Sequence, residues 1–325
     1  MNKVGIIGVG KYLPEKVLSN SDLEKMVDTS DEWITTRTGI KTRRIASKNQ
    51  AASDLAINAA KLALKDAKLS ASDIDLIIVA SITPDMQFPS TACFVQRGLG
   101  AKKAACFDIS AACAGYVYAM VIAQQFIACG TYKNVLIAGS EVLSTATDWK
   151  DRNTCVLFGD GAGAAVLAPV SSGGILSTYL RSDGSLGDLL TLPGGGSRNP
   201  ATCETVEKGL HYVKMRGNEL FKVAVKSMAD AAQKAVDLAG LKCKDVDCVI
   251  PHQANTRIIK SVAKKIGLSE EKVYLNINRY GNMSSASTAI ALCEAVESKA
   301  IKKGDIVLLD AFGGGLVWGA CVVEW

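Results

Sequence analysis

The feature that most constrains this chain is an internal repeat. Residues 61–79, KLALKDAKLSASDIDLIIV, recur as QKAVDLAGLKCKDVDCVI over 233–250. Ala63, Ala67, Leu69, Asp73 and Asp75 align with Ala235, Ala239, Leu241, Asp245 and Asp247 at a constant offset of 172 residues. Each copy reads as an amphipathic helix, a short turn and a buried apolar strand. Asn134-Val-Leu-Ile and Asp305-Ile-Val-Leu form a second pair at an offset of 171. The chain therefore reads as two similar α/β halves, 1–170 and 171–325. Short apolar strands each followed by a helix predict mainly parallel sheets sandwiched by helices. The stretch from Ser171 to Pro200, with Pro193-Gly-Gly-Gly-Ser197, reads as loop and linker. Two pseudo-equivalent halves place a ligand site near their shared interface.

Composition narrows the partners. Among 325 residues 48% are apolar and 21% charged, enough to bury a core and too apolar for a disordered chain. A net charge of +5 is too small for a general nucleic-acid binder, though a local basic face remains open to one acidic partner. No apolar run spans a bilayer, and Met1-Asn2-Lys3 leads straight into an expected strand from Val4 without a signal-peptide pattern. The ten cysteines include no CxxC pair and mostly sit in apolar runs, which points to reduced, buried thiols, no zinc site and a cytoplasmic location.

Several motifs lead nowhere. Gly8-Val-Gly10 lacks the third glycine of a dinucleotide fingerprint, and Pro14 disfavours the helix that fingerprint needs. Gly159-Asp-Gly-Ala-Gly163 lacks a following Lys-Ser/Thr and reads as a tight turn between strands. Arg43-Arg44 reads as a solvated surface pair, and His211, in a polar connection, as incidental.

Three residues form a constellation. His252 ends the second copy of the repeated strand, in Pro251-His-Gln-Ala-Asn255, just before a helical pattern from Thr256 to Gly267. Strand C-terminal ends are where open α/β sheets place their active groups. Cys113 lies between a strand ending near Ile109 and an apolar helix running to about Ala128. A helix start is expected to lower a thiol pKa and favour thiolate. Counting 169 residues forward from Cys113 reaches Asn282, another strand-to-helix junction, after Val273–Ile277 and before a helix from Ser285. A thiol, an imidazole and an amide in one pocket suit acyl transfer. Phe312-Gly-Gly-Gly315 is placed either to add an oxyanion N–H or to form a plain turn.

Taken with Thr29-Ser-Asp-Glu-Trp-Ile34, Arg37-Thr-Gly-Ile40, Ala111-Ala-Cys-Ala-Gly115, Phe158-Gly-Asp-Gly-Ala-Gly163, Gly281-Asn282 and Phe312-Gly-Gly-Gly-Leu-Val-Trp318, these residues identify a resemblance along essentially the whole chain. The chain resembles the β-ketoacyl-acyl carrier protein synthase III family, the initiating condensing enzymes of fatty acid synthesis, which have a thiolase-like fold. The resemblance implies that Cys113 accepts the acyl group of an acyl-CoA primer, acetyl-CoA, with the N–H groups of Cys113 and Gly314 as the oxyanion hole. It implies that His252 and Asn282 then stabilise the enolate from decarboxylated malonyl-acyl carrier protein. No metal or redox cofactor is implied. Trp33 and Arg152 would sandwich the CoA adenine with Thr29 and Arg37 close by, while Asn255 would contact the pantetheine arm and Phe221 the pocket mouth.

The acidic carrier protein would meet Arg257, Lys260 and Lys264 on one helix face, with Lys265 beside them and Lys222 on another helix. The family is homodimeric, and Phe88 matches the residue that reaches the partner's acyl pocket. Tyr116 stands where the family usually has Phe and Met283 where Thr is common, so primer preference is the trait they bear on. Two other readings are compatible with the pattern: a condensing or acyl-transfer enzyme of secondary metabolism, and a non-catalytic acyl-CoA or carrier-protein binding module. Thiolase itself would need a second cysteine where Phe312-Gly-Gly-Gly stands.

Overall fold

The structure is a computed structural model that describes residues 3–325. Met1 and Asn2, the start of the expected leaderless N-terminus, lie outside the described residues. The chain begins with β1 (Val4–Tyr12), β2 (Lys16–Ser19), α1 (Asn20–Leu23), α2 (Asp31–Thr38), β3 (Thr42–Ile45) and α3 (Ala52–Ala67). It continues through β4 (Leu76–Ala80), α4 (Thr91–Leu99), β5 (Ala105–Ile109), α5 (Gly115–Ala128), β6 (Val135–Val142) and β7 (Asp160–Pro169). Next come β8 (Gly174–Ser182), β9 (Leu190–Thr191), α6 (Cys203–Glu207), β10 (Lys214–Met215), α7 (Gly217–Leu238), β11 (Cys248–Pro251) and α8 (Thr256–Lys265). The chain closes with α9 (Ile277–Tyr280), α10 (Ser285–Glu297), β12 (Ile306–Gly313) and β13 (Val317–Glu324).

The two main sheets have the same plan. The first runs β1-β7-β6-β4-β5 and the second β8-β13-β12-β11, with Val273 bridging Val249 in the place where a fifth strand would lie. The strands of the repeat pair in parallel, β4 with β5 and β6, and β11 with β12. The outer strands β7 and β1, and β13 and β8, add on antiparallel. The repeated aspartates explain the matching turns. Asp73 and Asp245 each accept a backbone N–H three residues upstream at 2.8 Å. Asp75 and Asp247 reach across to the start of the neighbouring strand, at Asn134 N (2.9 Å) and Ile306 N (2.8 Å).

Helices and sheets stack in five layers. α3 packs on the outer face of the first sheet, α7 on the outer face of the second, and α5 and α10 are clamped between the sheets. A helix covered on both sides must be apolar almost all round, and every residue of α10 from Ser285 to Ala295 is buried. Among the described residues no helix is long and apolar enough to cross a membrane.

Four expectations are corrected. Gly159–Gly163 is not a tight turn: from Asp160 onward it is β7, and its glycines make room for helix α10. A Cβ on Gly163 would lie 2.5 Å from Ala289 Cβ, and one on Gly139 in β6 would lie 2.6 Å from Ser285 O. Close approach likewise accounts for Gly8 and Gly10, where a Cβ would fall 2.4 Å from Ala67 N and 2.3 Å from Ala59 O of α3. Arg43 is not a solvated residue but is fully buried, donating to Asn20 Oδ1 (2.9 Å), Leu18 O (3.3 Å) and Val156 O (2.9 Å). Alternation along β3 turns Arg43 inward while Arg44 stays partly exposed. The stretch 171–200 is not all linker, because β8 occupies 174–182 and pairs along β13. Residues 273–277 contribute one bridge and the start of α9 rather than a strand.

Packing this tight predicts that Gly163→Ala destabilises the fold by about 3 kcal/mol, the upper range for overpacking. Urea unfolding checks this, and a loss below about 0.5 kcal/mol would mean that α10 can move away from β7.

Candidate active site

Cys113 stands in a one-turn segment, Ala112–Ala114, between β5 and α5. Ala112 holds φ at +42°, a region that L-residues rarely adopt, so the turn is kept in place by its surroundings. Gly115 lets α5 start against β4, since a Cβ there would lie 2.9 Å from Ala80 Cβ. Gly313, at the end of β12, presses on the other side: its Cβ would fall 2.5 Å from Cys113 N. The Cys113 turn is therefore wedged between elements of the two sheets.

The thiol does not behave as the helix-start argument expects. Cys113 is only 7% exposed, two residues before α5 begins, and burial pushes its thiol up to about 12, with the Ser284 hydroxyl pulling the other way. Desolvation outweighs the helix terminus in the free protein.

His252 follows β11 and is 2% exposed, with its backbone N–H donated to Asp310 O at 2.7 Å. Burial pushes its imidazole down to about 3, so the ring is neutral and keeps one N–H to donate. Among the described residues Nδ1 has no partner. Asn282 is clamped through its backbone, donating to Leu157 O (2.8 Å) and accepting from Gly159 N (3.0 Å). Its Oδ1 accepts from Ser284 N at 2.8 Å, which leaves the amide Nδ2 as the end available to a ligand.

Cys113, His252 and Asn282 line one cavity of about 720 Å³. Trp33, Arg37, Phe221, Lys222, Asn255 and Arg257 share that wall. Because the first three are buried while Arg37, Lys222 and Arg257 are exposed, the cavity runs from the surface to a buried floor. Arg257 lies over the Phe221 ring at 5.6 Å. Asn255 is also the N-cap of α8, accepting from Arg257 N (2.8 Å) and donating to Arg37 O (3.1 Å).

Other expected residues lie outside the cavity. Arg152 sits 4.7 Å from the Trp33 ring centroid, so the pair is closed on itself with no space for a base between them. Thr29 is partly buried before α2, and its hydroxyl has no partner among the described residues. Gly314 is one residue beyond the lining Gly313, and a Cβ on it would face Leu190 O at 3.0 Å. Lys260, Lys264 and Lys265 are exposed on α8, opposite its buried Ile259, Val262 and Ala263, and Lys260 pairs with Glu270 at 2.8 Å. Phe88 is 85% exposed at the tip of the segment before α4. The His211 ring lies tilted against Tyr212, centroids 3.9 Å apart, and does not line the cavity.

Sequence reasoning missed Gln253, though it sits in the quoted Pro251–Asn255 block. It is fully buried, donates to Pro251 O (2.9 Å) and Tyr274 O (3.1 Å), and accepts from the backbone N–H groups of Asn276 and Ile277. It fixes the path of the chain between His252 and Asn282. The apolar wall from Leu190, Met215, Leu220, Met228, Ile258 and Phe312 was also missed, because six scattered residues leave no pattern in sequence. Among the described residues no cluster of three His, Cys, Asp or Glu side chains is placed to hold a metal.

Comparison with known proteins gives the family. The family model for 3-oxoacyl-[acyl-carrier-protein (ACP)] synthase III matches residues 107–184, and the model for the C-terminal part of the same family matches 236–325. The chain is 60% identical over 322 residues to the beta-ketoacyl-[acyl-carrier-protein] synthase III of Caldanaerobacter subterraneus subsp. tengcongensis, covering 99% of this chain and 97% of that protein. The crystal structure of 3-oxoacyl-[acyl-carrier-protein] synthase III from Aquifex aeolicus superposes with a TM-score of 0.92 at 51% identity, covering 99% and 100% of the two chains. The priming beta-ketosynthase of the R1128 polyketide pathway gives the same TM-score at 34% identity, covering 99% and 96%.

A thiol raised to about 12 should react with iodoacetamide slowly at neutral pH, with the rate climbing about tenfold per pH unit from 7 to 10. Mass spectrometry of the Cys113 peptide checks this. A plateau below pH 9 would mean that the site generates thiolate without substrate.

Proposed function

The chain belongs to the β-ketoacyl-[acyl-carrier-protein] synthase III family, condensing acyltransferases of fatty acid synthesis, and from that premise we propose that it joins an acyl-CoA primer, acetyl-CoA or a close homologue, to malonyl-acyl carrier protein. The observation that carries the reading is that Cys113, His252 and Asn282, distant in sequence, line one cavity with a buried floor. In this reading Cys113 Sγ attacks the thioester carbonyl, the N–H groups of Cys113 and Gly314 hold the oxyanion, and CoA leaves as its thiol with the proton from Cys113. Each oxyanion donor is commonly worth about 3 kcal/mol.

Malonyl-acyl carrier protein then loses CO2, and the enolate oxygen accepts from the His252 ring N–H and from Asn282 Nδ2. A neutral imidazole suits this role, because it donates without a proton transfer competing with carbon–carbon bond formation. The carbanion attacks the acyl-Cys113 carbonyl, a proton restores the thiol, and the β-ketoacyl chain leaves on the carrier protein. The residues supply every group these steps use, so the reading includes no metal or redox cofactor.

For CoA we assign Trp33, Arg152, Thr29 and Arg37 to the nucleotide end, with Arg152 swinging off Trp33 to admit adenine, and Phe221 and Asn255 to the pantetheine arm. Lys222, Arg257, Lys260, Lys264 and Lys265 form the carrier-protein face. A homodimer in the cytoplasm belongs to the same reading, with the exposed Phe88 entering the partner's acyl pocket and the halves 1–170 and 171–325 meeting at the nucleophile. A second reading, a primer-loading condensing enzyme of secondary metabolism, is favoured by the 34% identical polyketide priming enzyme. Primer choice separates the two.

Intact-protein mass after mixing with a panel of acyl-CoAs tests the proposal. Adducts are expected on the native protein and none on Cys113→Ala; equal labelling of that variant would remove the nucleophile assignment. His252→Ala should still form the acyl-enzyme while malonyl decarboxylation falls about 100-fold, and unchanged decarboxylation would overturn the donor role. The double change Lys264→Glu with Lys265→Glu should raise KM for the carrier protein about fivefold without altering acyl-CoA labelling, an effect that weakens with added salt. An unchanged KM would move the docking face elsewhere.

A further inference from the structure

Glu141 is fully buried in β6, where residues 81–83 after β4, the first residue of α10 and the Cys113 turn come together. The hydrogens around it can be counted. Oε2 accepts from Ser81 Oγ (3.2 Å), Ile82 N (3.1 Å) and Thr83 Oγ1 (2.8 Å). Both hydroxyl oxygens are already acceptors, Ser81 Oγ from Thr83 N (3.1 Å) and Thr83 Oγ1 from Val142 N (2.8 Å), so their hydrogens are free to point at Oε2. An oxygen that takes three donors carries no proton of its own.

Oε1 is in a different position. Ser285 Oγ lies 2.9 Å from Oε1 and 2.8 Å from Ala80 O. A hydroxyl has one hydrogen, and both neighbours are pure acceptors if Glu141 is ionised. Whichever one receives it, the other is left facing Ser285 Oγ lone pair to lone pair at hydrogen-bond distance. A proton on Oε1 removes the conflict: Oε1–H donates to Ser285 Oγ, and Ser285 Oγ–H donates to Ala80 O. Ser285 N, 3.4 Å away, still meets a lone pair of Oε1. Burial is the largest influence on the carboxyl and acts in the same direction, raising it above its usual range against the pull of the Thr83, Ser285 and Ser284 hydroxyls and the Ile82 N–H. Cys113 is the titratable group that faces Glu141; Asp160 on the adjacent β7 is turned instead to Ser144 Oγ (2.6 Å) and Ala46 N (2.7 Å).

We propose that Glu141 is a positioning residue held as the neutral acid, which ties the start of α10, and with it the Asn282 turn, to the end of β4 without setting a negative charge beside Cys113. The benefit to Cys113 rests on its reading as the nucleophile; the protonation state does not.

Infrared spectroscopy of protein carrying 13C-glutamate tests the proposal. At pH 7 the label should shift a protonated-carboxyl stretch that is missing from Glu141→Gln. Asp310, also buried and raised, is silent to a glutamate label, and Glu294, paired with Arg279 at 2.7 Å, is present in wild type and variant alike. Gln puts an NH2 where Oε1–H stands and a carbonyl where Oε2 stands, so its melting temperature at pH 5 should lie within about 2 °C of the wild type.

A carboxyl raised by folding contributes most below its unfolded pKa, and that contribution is lost as pH climbs toward the folded value. The wild type should therefore lose melting temperature relative to Glu141→Gln between pH 5 and 8. The rate of Cys113 alkylation at pH 7 should stay the same in the variant, whereas removal of a real charge would raise it. No label-sensitive band at pH 7, a flat melting difference, or faster alkylation of the variant at pH 7 would each overturn the proposal. Should Glu141→Gln fail to fold, the labelled wild type decides alone. Neither the band nor the melting difference depends on acylation, so failure here is distinguishable from failure of the nucleophile assignment.

Discussion

The structure depends on two helices fitting between two sheets. α5 and α10 are covered on both sides, and the first sheet closes on α10 where its strands carry no Cβ, at Gly139 and Gly163. The same constraint places the chemistry. Helix starts are the one part of such a layer that reaches an open end, and Cys113 and Asn282 each stand two or three residues before a start, at Gly115 and Ser285. The cavity is therefore the unfilled end of the central layer rather than a feature added to the surface. Gly313, with no room for a Cβ beside Cys113 N, brings the second sheet to the same point.

Desolvation then sets the state of the buried groups nearby. It leaves the Cys113 thiol protonated, His252 neutral and Asp310 raised well above a normal carboxyl. A site in which the resting groups are uncharged costs less to bury, and it concentrates the effect of fixed donors on charge that appears only during reaction. Arg43 is the exception, a buried guanidinium held by carbonyl and amide oxygens alone, and its pKa is pushed down to about 10 by burial. Its bond to Val156 O braces the segment whose Leu157 O and Gly159 N clamp Asn282.

The sequence carried the architecture because repeats and periodicity are local signals. Helix α3 with β4, and α7 with β11, lie where the aligned alanines and aspartates put them, and α5 ends at Ala128 as its apolar run suggests. What escaped was set by contacts across the fold. Gly159–Gly163 looks like a turn until α10 is seen packed on it, and Arg43-Arg44 looks like a surface pair until strand alternation sends one side chain inward. The thiol shift was misjudged for the same reason: a helix start is visible in sequence, whereas the protein that buries it is not. Gln253 was in plain view, but only its four hydrogen bonds reveal what it does.

The repeat also shows how one plan is put to two uses. Position 80 in the first copy corresponds to position 252 in the second. In the second sheet that strand end carries His252, open to the cavity. In the first it carries Ala80, whose Cβ lies 2.9 Å from where a Gly115 Cβ would be and whose carbonyl takes the Ser285 hydroxyl. A histidine at 80 would strike the start of α5, so the first half cannot hold an imidazole there and start α5 in the same arrangement. Nor does the second half repeat the thiol: where the first places Cys113, it places an amide whose oxygen is tied to Ser284 N. The site is asymmetric because each half gives up one of the two positions to let the helices of the central layer start side by side.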